Sequence, residues 1–197
     1  TVYFTINDGS LTEIELGNQR WSGKAKTVSG STVVTVNGGS FSSATPLKYT
    51  DRDVKGDETR TGKHTIIFNN DTYKSTYDLS KTDYIINANI GGSVTAINPG
   101  TADTAPTFML KAIGSYDIYA DGKLVGNGEC TYTPETDGIH EIRFEIPTFT
   151  VTFDANGGTG TVPSPVTAIE GSEVDLSATV TLTKDGCTFL GWNTSPD

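Results

Sequence analysis

The chain has 197 residues, with 14 Lys+Arg against 24 Asp+Glu for a formal net charge of −10. Such an acidic balance excludes a phosphate-backbone binder, which needs clustered Lys and Arg, and no apolar run approaches the ~20 residues that cross a bilayer as a helix. With 35% hydrophobic and 19% charged residues the chain is not disordered by charge, and its 32 Thr, 15 Ser and 22 Gly point to pleated strands and tight turns.

Strand signals recur in chain order. Val2–Ile6 alternates and ends at Asn7-Asp8-Gly9, and residues 11–16 follow with Leu11, Ile14 and Leu16 apolar. Thr32–Val36 runs into Asn37-Gly38-Gly39, and His64–Phe68 into Asn69-Asn70-Asp71. Residues 84–90 stop at Gly91-Gly92, and residues 94–97 close the set. No stretch holds a 3.6-residue period between caps, so the fold class is all-β, with residues 1–105 expected as a β-sandwich-like module. Residues 98–106 lack an apolar pattern, carry Pro99 and Pro106, and are the expected linker. Net charge shifts there: residues 1–105, 106–147 and 148–197 carry −1, −4 and −5.

Beyond that stretch, residues 116–120 enter Asp121-Gly122, a pair suited to a type I′ hairpin turn, and Lys123-Leu124-Val125 follows. Residues 129–133 and 140–146 add two strands around a turn running from Pro134 to Gly138. This segment, 106–147, generically resembles the later strands of an immunoglobulin-like domain. It is expected either as a short Ig-like module or as the completion of a sheet begun before residue 100.

The last segment opens with Val151-Thr152-Phe153-Asp154-Ala155-Asn156-Gly157-Gly158, continues through Ile169-Glu170-Gly171, and reaches Gly186-Cys187-Thr188-Phe189-Leu190-Gly191-Trp192-Asn193-Thr194. Residues 148–197 so written closely resemble the Listeria–Bacteroides repeat, the internalin B-repeat type found on secreted and wall-attached bacterial proteins. The resemblance implies a small β-grasp acting as a surface spacer or weak interaction module. Asn156-Gly157-Gly158 is read as a turn needing left-handed backbone, which Asn and Gly reach cheaply. Phe189 and Trp192 are read as core, and Gly191 as a point of close backbone approach. Cys187 and Ser177 depart from the family's usual Tyr and Pro, and the β-grasp is expected to be incomplete at the C-terminus.

Residues able to carry chemistry are few. Cys130 and Cys187 are either a disulfide between modules or two buried free thiols. His64 and His140, the two histidines, read as exposed residues at strand starts; no metal site is expected, because zinc needs four Cys/His ligands at tight spacing. The acidic run from Asp51 to Glu58 matches a calcium loop at positions 1, 3, 6 and 7, but Lys55 holds a ligand position and Gly62 stands at position 12, so it reads as a solvated loop. Trp21, Tyr73 and Tyr77 are the candidate ligand-binding residues, since exposed aromatics stack on sugar rings or anchor partners. No catalytic residue and no cofactor is expected. The chain reads as a non-enzymatic, extracellular bacterial surface module that contacts a protein or glycan and neither nucleic acid nor membrane interior, with a carbohydrate-binding module accessory to a glycan-degrading enzyme as the alternative.

Overall fold

The computed structural model describes every residue except 12–13, 19–26, 29, 42–46, 52–58, 61, 70–82, 177–179 and 195–197; for 11, 14–18, 27–28, 41, 47–51 and 59–60 it describes the backbone alone. The chain divides into two units, Thr1–Glu145 and Ile146–Asp197.

A single pattern recurs at the start of the first unit. Phe4-Thr5-Ile6-Asn7-Asp8-Gly9-Ser10 reappears as Val34-Thr35-Val36-Asn37-Gly38-Gly39-Ser40, and its first half again as Ile66-Ile67-Phe68-Asn69. Strands β1 (Val2–Ile6), β2 (Ser10–Leu11), β3 (Ile14–Asn18) and β4 (Thr27–Val28) form one turn. Strands β5 (Thr32–Val36), β6 (Ser40–Phe41), β7 (Leu47–Asp51) and β8 (Thr59–Arg60) form the next, and β9 (His64–Phe68) opens a third. Like strands pair in parallel: β1 with β5, β5 with β9, β2 with β6, β3 with β7 and β4 with β8. The turns therefore stack as a parallel β-solenoid. Strand β10 (Tyr84–Ala88) joins β9 in parallel and extends the stack.

Three devices hold the turns in register. Side chains at alternate positions fall into columns, so Val34, Val36, Ile66, Phe68 and Ile85 form an apolar core with Ile6 packed on it. Each such buried side chain contributes ~1.5–3 kcal/mol. At the corner the asparagines form a ladder: Asn69 Nδ2 donates to Asn37 Oδ1 at 2.8 Å and Asn37 Nδ2 to Asn7 Oδ1 at 2.9 Å. The third device is close approach, since a Cβ at Gly39 would lie 2.7 Å from the Gly9 carbonyl oxygen and one at Gly62 would strike the Gly30 carbonyl.

The rest of the unit covers the other face of this sheet. Strands β11 (Gly92–Asn98), β12 (Thr107–Ala112), β13 (Asp117–Ala120), β14 (Lys123–Asn127), β15 (Glu129–Tyr132) and β16 (Gly138–Glu145) follow in order. They complete a seven-stranded sheet, β1-β5-β9-β10-β16-β13-β14, and a three-stranded sheet, β11-β12-β15. The two sheets enclose a second core that includes Val33, Ile67, Ile86, Val94, Phe108, Leu110, Ile118, Ile142 and Phe144. The all-β class and the face-to-face packing of sheets thus match expectation. The pairing inside residues 1–105 differs, since consecutive segments stack in parallel where a sandwich would set many of them antiparallel.

Residues 106–147 share both sheets with what precedes them. Strand β16 runs parallel to β10, with Ile86 opposite His140, a pairing foreign to the expected Ig-like arrangement. Residues 98–106, taken from composition as a linker, are pinned inside the unit: Ser31 Oγ donates to the Gly100 carbonyl at 2.8 Å, and Thr101 pairs with Thr104. The Asp121-Gly122 hairpin forms as expected, with φ of 50° and 79°.

In the second unit β17 (Thr148–Val151) pairs antiparallel with β18 (Val166–Ile169). Asn156 and Gly157 take φ of 47° and 75°, as their turn requires. The Trp192 ring packs on Phe153 and Phe189 at centroid distances of 4.8 and 5.3 Å. Gly191 differs from expectation: nothing lies within 4 Å of the site of its missing Cβ, and glycine serves there for its φ of 148°.

Candidate functional site

The densest polar cluster among the described residues gathers where β9, β10, β13 and β16 meet. The alternation His140, Ile142, Phe144 turns His140 inward, and it is only 5% exposed. Its Nδ1 lies 2.8 Å from Asp121 Oδ2 and its Nε2 lies 2.9 Å from the Thr136 carbonyl. Both partners are acceptors, so a ring carrying both protons satisfies both contacts and a neutral ring satisfies one. Tyr132 donates its hydroxyl to Asp121 Oδ2 at 3.0 Å, and the Glu141 amide donates to Asp121 Oδ1 at 2.9 Å.

A second half adjoins it. Lys63 Nζ bonds Asp137 Oδ2 at 2.8 Å and sits 5.6 Å from the centroid of the Tyr84 ring, which stacks on His140 at 6.2 Å. Asp83 ties the corner, accepting from the His64 amide through Oδ2 at 2.7 Å while its carbonyl accepts from the Gly138 amide at 2.8 Å.

The electrostatics follow from this geometry. Burial pushes the Asp121 carboxyl up, but hydrogen bonds from His140, the Glu141 amide and Tyr132 outweigh it and hold the group below the usual carboxylate range. Asp137 behaves alike, with burial opposed by Lys63 and Tyr84. Burial, with the neighbouring carboxylates, raises both tyrosine hydroxyls above their ordinary value. The arrangement, which also brings the Tyr132 hydroxyl to 3.1 Å from His140 Nδ1, ties the β13–β14 hairpin, the 133–137 turn and the solenoid edge together.

Other singled-out residues lie elsewhere. Trp21, Tyr73 and Tyr77 fall outside the described residues, as does the 52–58 part of the acidic loop. His64 is buried where an exposed strand start was expected, because its parity with Ile66 and Phe68 turns it into the solenoid. Cys130 and Cys187 are both free thiols: Cys130 is packed beside Gly126 with burial raising its thiol, and Cys187 is exposed in the turn that bridges it to Lys184. Among the described residues no group of three or more His, Cys, Asp and Glu side chains is placed to hold a metal, and no helix is long and apolar enough to cross a membrane. The cluster around His140 escaped a residue-by-residue reading; the inward parity of His140 with Ile142 and Phe144 was the available signal.

Comparison with known proteins adds one match. No curated protein and no solved structure matches the chain. The family model of the Listeria-Bacteroides repeat domain matches residues 149–197, about a quarter of the chain. Domains of that family occur in bacterial surface proteins. The resemblance carried by Asn156-Gly157-Gly158 and Phe189-Leu190-Gly191-Trp192 and the family match therefore coincide in the C-terminal unit.

Proposed function

We propose that the chain is a non-enzymatic module of a secreted or cell-wall-attached bacterial surface protein, acting as a spacer and an interaction module toward an extracellular partner. The observation that carries this reading is the sheet of the first unit, unbroken across seven strands from β1 to β14. A continuous ladder resists deformation and presents an extended surface. The hydrogen bonds among His140, Asp121, Tyr132 and the Thr136 carbonyl support it as a structural tie between strands. The repeat in residues 149–197 supports the extracellular bacterial setting.

The test is binding of the purified chain to an array of glycans and extracellular-matrix proteins, with Trp21→Ala beside it. A protein hit indifferent to Trp21→Ala is the expected outcome. A glycan hit abolished by that substitution would overturn the reading in favour of a carbohydrate-binding module.

A further inference from the structure

An asparagine followed by glycine is a self-reactive pair, because the glycine nitrogen can reach the asparagine side-chain carbonyl carbon with no Cβ in its way. The chain holds three such pairs, Asn37-Gly38, Asn127-Gly128 and Asn156-Gly157. The fold restrains two of them. Asn37 is clamped from both sides, its Nδ2 donating to Asn7 Oδ1 at 2.9 Å and its Oδ1 accepting from Asn69 Nδ2 at 2.8 Å. Its glycine is pressed against the rung before it, where a Cβ would lie 2.5 Å from the Asn7 carbonyl oxygen. At the second pair Asn127 Nδ2 donates to the Ser115 carbonyl and to Asp117 Oδ1, and the Gly128 amide donates to the Tyr116 carbonyl at 2.9 Å. In both pairs the attack must wait for hydrogen bonds to break.

The third pair carries no such restraint. Asn156 is exposed, and among the described residues nothing bonds its carboxamide or the Gly157 amide. Other groups hold the turn: the Asn156 amide donates to Asp154 Oδ1 at 2.8 Å and the Gly158 amide to the Ala155 carbonyl at 2.9 Å. A cation sits on the reactive peptide itself. Lys184 Nζ donates to the Asn156 backbone carbonyl at 3.0 Å and lies 3.7 Å from the site of a Cβ on Gly157. That carbonyl oxygen takes up negative charge when the Gly157 nitrogen gives up its proton, so the ammonium favours the attacking form. Lys184 is the sole Lys or Arg in residues 148–197.

We propose that Asn156 is a self-modification site, at which the Gly157 nitrogen attacks the asparagine side chain with help from Lys184 and converts it to aspartate and isoaspartate. The bond from the Gly157 nitrogen to Asn156 Cγ forms as the Cγ–Nδ2 bond breaks, and the displaced NH2 leaves as ammonia with the proton from the Gly157 amide. Water then opens the resulting five-membered imide at either of its carbonyls, and no electrons are exchanged. Aspartate still accepts the left-handed φ of 47° at this position. Isoaspartate adds one carbon to the main chain, so the bond from Gly158 to Ala155 no longer closes. The C-terminal unit thus carries a one-way chemical mark of its age at a solvent-facing turn.

The test is incubation of the full chain at neutral pH, folded and in concentrated urea, with peptide mass mapping that separates aspartate from isoaspartate. In the folded chain Asn156 is expected to convert at least about tenfold faster than Asn37 or Asn127, since each of those must first break two hydrogen bonds. In urea the three rates are expected to converge, which assigns the difference to the fold. Lys184→Gln, with its circular dichroism unchanged, should slow the folded-state conversion about threefold, the size of effect an exposed charge exerts, and leave the rate in urea alone. Equal rates for the three pairs in the folded chain, or an order that persists in urea, would each overturn the proposal. So would a rate untouched by Lys184→Gln, or a lasting loss of ammonia with a peptide bond joining positions 156 and 184, which would mean that the lysine amine had attacked instead. If Lys184→Gln loses the fold, the comparison of folded and urea-treated unsubstituted chain decides.

Discussion

Asp121 stands between opposing forces: burial disfavours its charge while three donors favour it, and the donors win. Its folded-state value, like that of Asp137, lies below the unfolded value of about 3.9. A depressed carboxylate contributes stability that is complete above the unfolded value and is lost as pH falls through the folded one. Urea midpoints should therefore hold from neutral pH to about pH 5 and fall below about pH 4. Asp121→Asn should lower the neutral-pH unfolding free energy by about 1 kcal/mol or less, since the carboxylate is partly solvated, and should flatten the acid limb. Asn keeps the left-handed turn accessible, so the comparison isolates charge. An acid limb indifferent to the substitution would contradict the assignment. The Asp121-Gly122 turn was legible in the sequence because its chemistry is local. The partnership with His140 was not, because it joins a turn to a strand 19 residues away.

The solenoid corners lend themselves to a paired substitution. Gly39 has φ of 99° and packs on Gly9, whereas Gly9 has φ of 119° with open space around it. Gly39→Ala combines strain and collision and should cost about 3 kcal/mol, while Gly9→Ala carries strain alone, at about 1 kcal/mol. Equal losses in chemical denaturation would mean that the turns do not stack as described. The strands themselves were readable: Val2–Ile6, Thr32–Val36 and His64–Phe68 fall where alternation and turn residues put them. Their pairing was harder to read, because alternation over five residues says which face is apolar and not which strand lies alongside. Asn7-Asp8-Gly9 and Asn37-Gly38-Gly39 have the composition of hairpin turns, yet here each forms a corner within its own rung, joining strands that pair in parallel with the next rung. The distinguishing signal was the repeat itself, with Asn7 and Asn37 spaced 30 residues apart and Asn69 another 32 on.

Across the whole molecule, the two units differ in how much they bury. The first holds two apolar cores, whereas the second rests largely on Phe153, Phe189 and Trp192, with Phe149, Leu176 and Leu190 exposed. So small a core predicts independent and earlier unfolding. With Trp21→Phe leaving Trp192 as the sole indole, its emission should shift at lower urea than the loss of far-UV circular dichroism; coincident transitions would show a single cooperative unit. The proline-bearing stretch at 98–106 has the composition of a linker, yet Gly100 and Pro106 are buried within the first unit. The parallel seam between β10 and β16, which sets Tyr84 beside Gly138, has a further consequence for a chain that emerges from the ribosome N-terminus first. The solenoid turns can stack as they appear, each closing a loop of 30 to 32 residues. The outer face bearing Val33, Ile67 and Ile86 then stays bare until β11 to β16 have been synthesised. During that interval the nascent protein exposes a ready-made apolar sheet, so the order of synthesis makes this window the time of greatest aggregation risk.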